Sequence, residues 1–589
     1  TISGNIANNG GYGIYLYWNC TDNTISGNNV NYNTQYGIYL EYECSNNNIS
    51  GNTANYNGNQ GIVIGLCDNN KISGNDVSNN GGNGIRVNGG QDNTISGNNA
   101  SSNDDNGIII FGCNNNTISG NTASNNYNNG ISVDEGQDNT ISENNIINTT
   151  YNNGIDLSGS HFNTISRNVA IGTGYGIYLD GSPYSSILGN NVSNNKYGGI
   201  AVYDSNGSNI IGNNASNSDI YCTGIEIYNS NDIIIVGNIA SNNYDGTGIS
   251  LRDSKNTTIS GNIVNDNYRG ISVMVSNNNT ISGNNVNNNF NGIILNECDY
   301  NTISGNNASN TDEYGILLSS CDYNTISGNN ISNNKYTGII IEGCQNNTIS
   351  INIANNNGEQ GIHLYRYCYN NTISGNTANY NGKYGIYLWG DMSGSCDNNT
   401  ISGNTANYNG KYGIYLEGEG LAQCDNNIIS DNTVNNNNDH GIYLYRYCDY
   451  NTISDNTVNS NKNDGIYLGR YCDYNIISGN NVNNNFNGIV LNKSHHNTVL
   501  ENTANNNTYA GIMLQESNFN SITGNTLIGN NECIVEVDCF ENEFKDNSCD
   551  YGEKVRWPAI LGYNLFFILG TLSIISIIIS KKSKRKRNY

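Results

Sequence analysis

A six-residue motif recurs along most of the chain and constrains its fold more than any other feature. The motif reads Asn-Thr-Ile-Ser-Gly-Asn at residues 23–28, and versions of it return every 22 to 28 residues between Ile2 and Ile522. Alignment on the isoleucine of this motif, called here the anchor, gives 23 units. An asparagine lies three positions after every anchor, and Gly-Ile follows further on in the first 22 units. A fixed period of this length indicates a solenoid.

Short alternating apolar runs show which kind of solenoid the repeat specifies. In Ile14-Tyr15-Leu16 the apolar residues recur with period two, which predicts a strand. No unit contains ten residues with helical spacing, and Asn and Gly are poor helix formers. We therefore predict an all-β fold, a parallel β-helix of about 23 rungs with three short strands per rung. The twist preference of parallel crossovers predicts a right-handed coil.

The asparagines three positions after the anchors predict a ladder inside the coil. Asn28, Asn52, Asn75 and Asn98 belong to this series. Stacked amides can donate to one another along the coil and satisfy the polar groups of a buried corner. We interpret this series as structural rather than as a ligand site.

The C-terminal segment has a different composition. Residues 557–580 are uncharged and long enough to cross a bilayer as one helix, and six Lys and Arg residues follow. The positive-inside rule then places the C-terminus in the cytoplasm and the repeats outside the cell. Buried-helix and basic-tag interpretations are the alternatives. We predict a solenoid at residues 1–530, a cap and juxtamembrane segment at 531–556, a single transmembrane helix at 557–580 and a cytoplasmic tail at 581–589.

The net charge restricts the partners. The chain carries a formal charge of −25, which repels nucleic acid and other anionic polymers unless cations intervene. We therefore expect no nucleic-acid partner. A membrane, a polysaccharide or a cell-surface glycoprotein are the expected partners.

Most of the 16 cysteines occupy one position of the repeat, five residues before the anchor. Twelve of them, from Cys20 to Cys472, lie there, and Ser or Gly replaces them in other units. This pattern favours a stack of buried free thiols, with a Cu(I) ladder as the alternative. Cys533, Cys539 and Cys549 follow the predicted repeats, where one disulfide is expected.

Aromatic residues line the outward side of the third strand in the C-terminal half. The predicted members are Tyr387, Trp389, Tyr415, Tyr443, Tyr445 and Tyr467. An exposed aromatic ladder suits stacking on sugar rings. The alternative is that these side chains pack on their neighbours along the sheet.

Two groups of carboxylates could carry chemistry. Asp397, Asp425, Asp449 and Asp473 recur in four successive units, and Ca²⁺ would relieve their repulsion. Solvated turn aspartates are the alternative. Asp134, Glu135 and Asp156 are the best candidates for acid/base catalysis on a sugar. The chain contains no metalloprotease, hydrolase-elbow or phosphate-loop motif.

The unit that combines Asn-Thr-Ile-Ser-Gly-Asn with Gly-Ile-x-Leu resembles the β-helix repeat of the pectin-lyase-like superfamily. It is particularly similar to the NosD-type domains of archaeal surface proteins, and the resemblance covers about 530 of 589 residues. It implies a parallel β-helix. The NosD name implies copper, although the chain has three methionines and no His/Met cluster. The C-terminal segment resembles archaeal cell-surface anchors.

Together these features predict a membrane-anchored extracellular β-helix with a structural, adhesive or glycan-binding role. The alternative is a polysaccharide lyase, hydrolase or epimerase that acts on the exposed face.

Overall fold

Anchor isoleucines stack on one another along the coil. In the computed structural model Ile25 pairs in parallel register with Ile2 on one side and with Ile49 on the other. The structure describes residues 1–219, 221–550 and the backbone of 555–556. The described residues form strands and turns, arranged as a parallel β-helix in which each rung adds one strand to each of two long sheets.

The anchors form the first sheet. Its 24 strands are Ile2–Ser3, Thr24–Ser26, Asn48–Ser50, Lys71–Ser73, Thr94–Ser96, Thr117–Ser119, Thr140–Ser142, Thr164–Ser166, Ser186–Leu188, Asn209–Ile211, Ile234–Val236, Thr258–Ser260, Thr280–Ser282, Thr302–Ser304, Thr325–Ser327, Thr348–Ser350, Thr372–Ser374, Thr400–Ser402, Ile428–Ser430, Thr452–Ser454, Ile476–Ser478, Thr498–Leu500, Ser521–Thr523 and Glu543–Lys545.

The Gly-Ile segments form the second sheet. Its strands are Tyr12–Tyr17, Tyr36–Glu41, Ile62–Gly65, Ile85–Asn88, Ile108–Phe111, Ile131–Asp134, Ile155–Ser158, Tyr175–Asp180, Gly198–Tyr203, Thr223–Tyr228, Thr247–Arg252, Arg269–Met274, Asn291–Asn296, Ile316–Ser319, Ile339–Glu342, Gln360–Tyr365, Tyr384–Gly390, Ile414–Gly418, Ile442–Tyr445, Ile466–Leu468, Ile489–Asn492, Ala510–Gln515, Glu532–Val537 and Val555–Arg556.

The third side of the coil is less regular than the sequence predicts. It consists mainly of single bridges, such as Asn29 with Thr53, one residue after the laddered asparagine. Regular strands occur on this side only as two short pairs among the described residues: Asn145–Ile147 with Val169–Ile171, and Thr526–Leu527 with Ser548–Cys549. Asparagine corners lie close on both sides of the bridge, so little room is left for extended pairing.

Within the described residues the coil has 24 rungs rather than the 23 counted in the sequence. Phe544 takes the anchor position of the additional rung and pairs with Ile522. Asn547 follows three residues later and accepts a hydrogen bond of 2.9 Å from Asn525 Nδ2. The stacking thus continues beyond residue 530, and the isoleucine pattern missed the last rung because its anchor is a phenylalanine.

Three columns of asparagine, not one, run inside the coil. In the first, Asn28 Nδ2 donates to Asn52 Oδ1, Asn52 to Asn75 and Asn75 to Asn98, each at 2.9 Å. The amide of Asn52 also donates to the carbonyl of Ile25, an anchor of the preceding rung. A second column contains Asn33, Asn57, Asn80 and Asn103, and a third contains Asn47, Asn70, Asn93 and Asn116. These amides satisfy main-chain groups at the buried corners, which an apolar side chain could not do.

Buried thiols continue the core beside the anchors. The cysteines five residues before an anchor are free, and those from Cys44 to Cys472 are at most 1% exposed. Cys533 and Cys549 form a disulfide. Cys539, the remaining cysteine near the end, is free and occupies the repeat position before Phe544, where its sulfur accepts from Ser517 N.

Within the part of the chain that the structure describes, no helix has the length and apolar character needed to cross a membrane. The predicted transmembrane segment at 557–580 and the basic tail at 581–589 lie outside the described residues.

Candidate functional site

Three columns of outward side chains cover the second sheet between the rung that contains Tyr314 and the rung that contains Tyr467. The Tyr384 column contains Tyr314, Thr337, Gln360, Tyr384, Tyr412 and His440. The Tyr387 column contains Ile340, His363, Tyr387, Tyr415, Tyr443 and Tyr467. The Trp389 column contains Glu342, Tyr365, Trp389, Glu417 and Tyr445. Ile386 and Leu388 point into the core, so strand alternation turns the Tyr387 and Trp389 columns outward. The Tyr384 column also lies outward because the next residue, Gly385, faces the interior, where a Cβ would meet Ala406 and Asn409.

Rings of the Tyr387 column stack face to face from His363 to Tyr443, which differs from the exposed ladder that the sequence suggests. The centroids of Tyr387 and Tyr415 are 4.9 Å apart with an interplanar angle of 4°. The two side chains are 6% and 5% exposed, and the flanking columns cover their edges. Burial raises the pKa of both hydroxyls, and Glu417 accepts a hydrogen bond of 2.8 Å from Tyr387. The expectation of exposure was therefore wrong for these two tyrosines, whose faces are occupied by their neighbours.

The other predicted aromatic residues are half-buried. Tyr443 stacks on Tyr415 at 5.1 Å, and Tyr467 meets Tyr443 edge-on at 5.1 Å. Tyr445 contacts the ring of Tyr443 and the guanidinium of Arg446. A ring face therefore becomes accessible mainly where a column is interrupted.

The Tyr384 column is interrupted for two rungs. Thr337 and Gln360 take the positions that tyrosine holds at Tyr314 and Tyr384. Tyr384 stacks on Tyr412 at 5.3 Å with one face, whereas Gln360 lies in register on its other side. Tyr314 and Tyr384 are three rungs apart, about 14 Å at the spacing of paired strands. Two aromatic walls thus enclose a gap floored by a hydroxyl and an amide.

The gap forms a cleft of about 470 Å³. Its lining residues are Tyr314, Tyr336, Thr337, Ile340, Glu359, Gln360, His363, Tyr365, Lys383, Tyr384, Tyr387 and Trp389. Thr337 Oγ1 donates a hydrogen bond of 2.6 Å to Gln360 Oε1, which fixes the floor. The lining thus combines aromatic rings with a few polar groups, as in many small-molecule sites.

The cations at this cleft are paired with carboxylates. Lys383 Nζ lies 2.6 Å from Glu359 Oε1. Arg366 Nε lies 3.0 Å from Glu342 Oε1, and its guanidinium packs on the ring of Tyr365. The pairs hold both cationic side chains beside the cleft and cancel their charge.

Two ring nitrogens in the cleft lining have no hydrogen-bond partner among the described residues. These buried atoms are His363 Nε2 and Trp389 Nε1. Burial lowers the pKa of His363 to about 3, so its ring is neutral near pH 7. A buried polar group without a partner costs about 1–3 kcal/mol. The protein itself therefore leaves two hydrogen-bonding groups of the lining without partners.

Two hairpins border the Trp389 column. They occupy the two longest units and are marked by antiparallel bridges, Asp391 with Gly394 and Glu419 with Ala422. Tyr365 donates a hydrogen bond of 2.7 Å to Asp391 Oδ2, which holds the first hairpin against the sheet. The tips Met392 and Leu421 are exposed. The hairpins therefore give the aromatic face a raised edge.

The four predicted calcium ligands form a hydrogen-bonded column with the main chain. Asp397 Oδ1 accepts from Asp425 N at 2.8 Å, Asp425 from Asp449 N at 2.7 Å and Asp449 from Asp473 N at 2.7 Å. Burial is the main cause that raises the pKa of Asp397 to about 6 and that of Asp425 to about 7. Asparagine makes the same main-chain contact in another unit, where Asn114 Oδ1 accepts from Gln137 N. A main-chain role thus accounts for this column.

The carboxylates proposed for catalysis are only partly brought together. Asp156 is in register with Ser132, whose hydroxyl donates a hydrogen bond of 3.0 Å to Asp134 Oδ1. Burial first, and then Asp134 and Asp180, raise the pKa of Asp156 to about 6. Glu135 follows in the left-handed region at a corner, with φ of 54°. Asp134 and Asp156 are neighbours on the sheet, and Glu135 lies at its edge.

Several cleft residues were not selected from the sequence. Tyr314, Gln360 and Tyr384 each come directly before a Gly-Ile element, so their column is readable once that position is aligned. The Lys383–Glu359 pair and the unpartnered nitrogens required the three-dimensional arrangement.

One family model describes a periplasmic copper-binding protein (NosD) and matches residues 217–360. Cys298, Cys321 and Cys344 are the cysteine ladder members in this range. Their sulfurs contact main-chain groups: Cys298 N donates to Cys321 Sγ at 3.2 Å and Cys321 N to Cys344 Sγ at 3.1 Å. Among residues 1–219 and 221–550, no group of three or more His, Cys, Asp or Glu side chains could hold a metal ion. These residues do not fit a copper centre.

Similar solved structures share only low identity with the chain. A periplasmic alginate epimerase is 17% identical, with 51% of this chain and 73% of that chain covered and a TM-score of 0.35. The A-module of a mannuronan C-5 epimerase from Azotobacter vinelandii is 13% identical, with 64% and 91% covered and a TM-score of 0.33. The Dettilon tailspike protein is 19% identical, with 47% and 62% covered and a TM-score of 0.31. The search of curated proteins gave no match.

A second family model, described as a right handed beta helix region, matches residues 1–65, 45–190, 291–449 and 420–554. These matches span more than half of the chain and agree with the parallel coil in the structure. The all-β fold and the right-handed coil predicted from the sequence are therefore confirmed. The chain belongs to the right-handed β-helix family.

Proposed function

We propose that the protein is a glycan-binding β-helix of the cell surface, and that a sugar binds in the cleft between Tyr314 and Tyr384. The observation that carries this proposal is the two-rung interruption of the Tyr384 column. A pyranose has an apolar face and a hydroxylated rim, so it matches aromatic walls above a polar floor. The face of the Tyr384 ring on the Gln360 side supplies the stacking surface that the buried Tyr387 and Tyr415 rings do not.

Binding is favoured over catalysis by the polar groups of the cleft. Glycoside hydrolysis uses a pair of carboxyl groups on either side of the bond that is cleaved. Among the lining residues Glu359 is the carboxylate, and Lys383 is paired with it. We therefore propose that a bound oligosaccharide is released unchanged.

The proposed location rests on the sequence of the C-terminal segment. An apolar stretch at residues 557–580 followed by a Lys/Arg cluster suits a single membrane span with the repeats outside the cell. In that arrangement the coil holds the cleft away from the membrane, where polysaccharides and cell-surface glycoproteins are its partners.

A glycan array followed by calorimetry on the full 589-residue chain tests the proposal. Tyr384→Ala should weaken binding of the best oligosaccharide at least tenfold, because the stacking surface is lost. Tyr36→Ala alters a tyrosine at the equivalent position far from the cleft, so it should leave binding unchanged. Equal affinities of wild type and Tyr384→Ala would contradict the proposal, as would the absence of any binding oligosaccharide. Chromatography of the bound sugar checks that it is recovered intact.

A further inference from the structure

We infer that the ligand of this cleft is an uncharged sugar, whose hydroxyl groups bind His363 and Trp389, and not an acidic sugar such as a uronate. This inference rests on the proposed glycan-binding function and specifies its ligand class. The charges at the cleft and the two unpartnered ring nitrogens support it independently.

The charges around the cleft disfavour an anion. Glu359 neutralises Lys383, and Glu342 neutralises Arg366. Glu417, a member of the Trp389 column, and Asp391, beside that column, add two further carboxylates, and each accepts from a tyrosine hydroxyl. A uronate or sulfate would approach these acidic groups without gaining a cation of its own, since both cations are already engaged. An uncharged ligand avoids that repulsion.

The free ring nitrogens favour a hydroxyl group. Trp389 Nε1 is always a hydrogen-bond donor, whereas the neutral ring of His363 presents Nε2 as donor or acceptor according to its tautomer. A hydroxyl both donates and accepts, so it suits either tautomer and can also accept from the indole. The His363 side chain is 8% exposed and stacks on Tyr387 at 4.6 Å, which fixes its ring. A sugar hydroxyl would thus complete groups that the fold leaves without partners.

The test compares hexasaccharides of glucose and mannose with hexasaccharides of galacturonate and mannuronate. Calorimetry uses the full chain at pH 7 and about 0.15 M salt, where surface charges are screened beyond about 8 Å. We expect at least one neutral hexasaccharide to bind at least tenfold more tightly than either uronate. Trp389→Phe keeps an aromatic ring in the lining but removes the donor, and it should weaken neutral binding at least fivefold without changing the melting temperature.

Glu359→Gln supplies a second variant. It frees Lys383 and should raise the affinity for uronate relative to that for the neutral hexasaccharide at least fivefold. Glu143→Gln frees Arg167 from a surface pair far from the cleft and should change neither. Tighter binding of a uronate by the wild type, lost in Tyr384→Ala, would overturn this inference and leave the proposed function standing. Failure of both sugar classes to bind would overturn both, and unchanged neutral binding in Trp389→Phe would overturn the hydroxyl contact.

Discussion

Gln360 lies in parallel register with Tyr384, one rung further along the coil, and its amide stands where a ring would otherwise stack. In the rung after Tyr384, Tyr412 occupies the equivalent position and stacks on the opposite face of Tyr384 at 5.3 Å. One residue type at one repeat position therefore decides whether the outward surface is a closed aromatic column or an open cleft. Function on a repetitive scaffold of this kind depends on where the repeat is broken.

Gln360→Tyr should close the cleft. The new ring would stack on Tyr384, as Tyr412 does, and would occupy the space between the two aromatic walls. We expect sugar binding to fall at least tenfold with a melting temperature equal to or above that of the wild type, because stacked aromatic pairs contribute about 0.5–1.5 kcal/mol. Calorimetry and thermal unfolding measure the two effects.

Gln60→Tyr is the matched control for that variant. Gln60 occupies the same repeat position beside Tyr36 and is 8% exposed, compared with 6% for Gln360. Its replacement should leave sugar binding unchanged. Retained binding in Gln360→Tyr, or an equal loss in both variants, would argue against a ligand in the cleft.

Asn75→Leu should weaken the coil locally. Asn75 is 2% exposed, accepts from Asn52 and donates to Asn98, so leucine would leave amides and a corner carbonyl without partners. We expect a loss of about 1–3 kcal/mol in the neighbouring rungs. Long repeat arrays do not unfold in one step, so hydrogen exchange of the main-chain amides is the suitable measurement.

The neighbouring Asn99 provides the control for the ladder. It is exposed and lies one residue after the laddered Asn98, where its amide contacts Asp76. Asn99→Leu should change exchange by less than about 0.5 kcal/mol, as is usual for surface substitutions. Similar protection in both variants would show that the ladder adds little to stability.

The sequence was sufficient for the parallel coil because each level of it indicates the same stacking. Anchor spacing, period-two runs and asparagine corners all specify parallel stacking, and nothing in the repeat competes with it. The last rung escaped because Phe544 replaces the aliphatic anchor, although Cys539 and Asn547 keep their repeat positions around it. Alignment on the asparagine instead of the isoleucine would have found it.

The candidate site was less accessible to sequence reasoning. The aromatic residues were identified, but the sequence does not show that in-register stacking consumes the faces of Tyr387 and Tyr415. The opening beside Tyr384 exists because the two preceding rungs have no aromatic residue at this repeat position. No conspicuous residue in the sequence marks such a gap. The unpartnered nitrogens of His363 and Trp389 depend on burial, which only the folded chain defines.

Asp425→Asn should reduce the dependence of stability on pH. Burial, then the neighbouring aspartates, raise the pKa of Asp425 from 3.8 to about 7, so the folded chain holds this proton more tightly than the unfolded chain. Stability from this group is therefore complete below about pH 4 and is lost as the pH rises to about 7. Asparagine keeps the oxygen that accepts from Asp449 N and removes the charge. The variant should melt higher than the wild type at pH 8 and equally at pH 4.

Asp68→Asn and added Ca²⁺ complete that experiment. Asp68 makes the same contact with Gln91 N, but its register neighbours are Ser45 and Gln91 rather than aspartates, so we expect little change. If the aspartate column bound Ca²⁺, the ion would stabilise the wild type at pH 8 and would not stabilise Asp425→Asn. A lower melting temperature of Asp425→Asn than of the wild type at pH 8 would contradict the conclusion that burial and repulsion destabilise the charged form of Asp425.

Cys533→Ser should loosen the last rung of the coil. The Cys533–Cys549 disulfide closes a segment of 16 residues, and Asn547 in that segment caps the ladder below Phe544. A cross-link over a loop of this size contributes about 3 kcal/mol in the chain-entropy model. We expect faster proteolysis and hydrogen exchange after residue 530, with protection of the earlier rungs unchanged, and a reducing agent should reproduce the effect on the wild type. Cys539→Ser is the control, since serine is common at that repeat position and can accept from Ser517 N as the thiol does. Equal loosening by both variants would assign the effect to packing rather than to the cross-link.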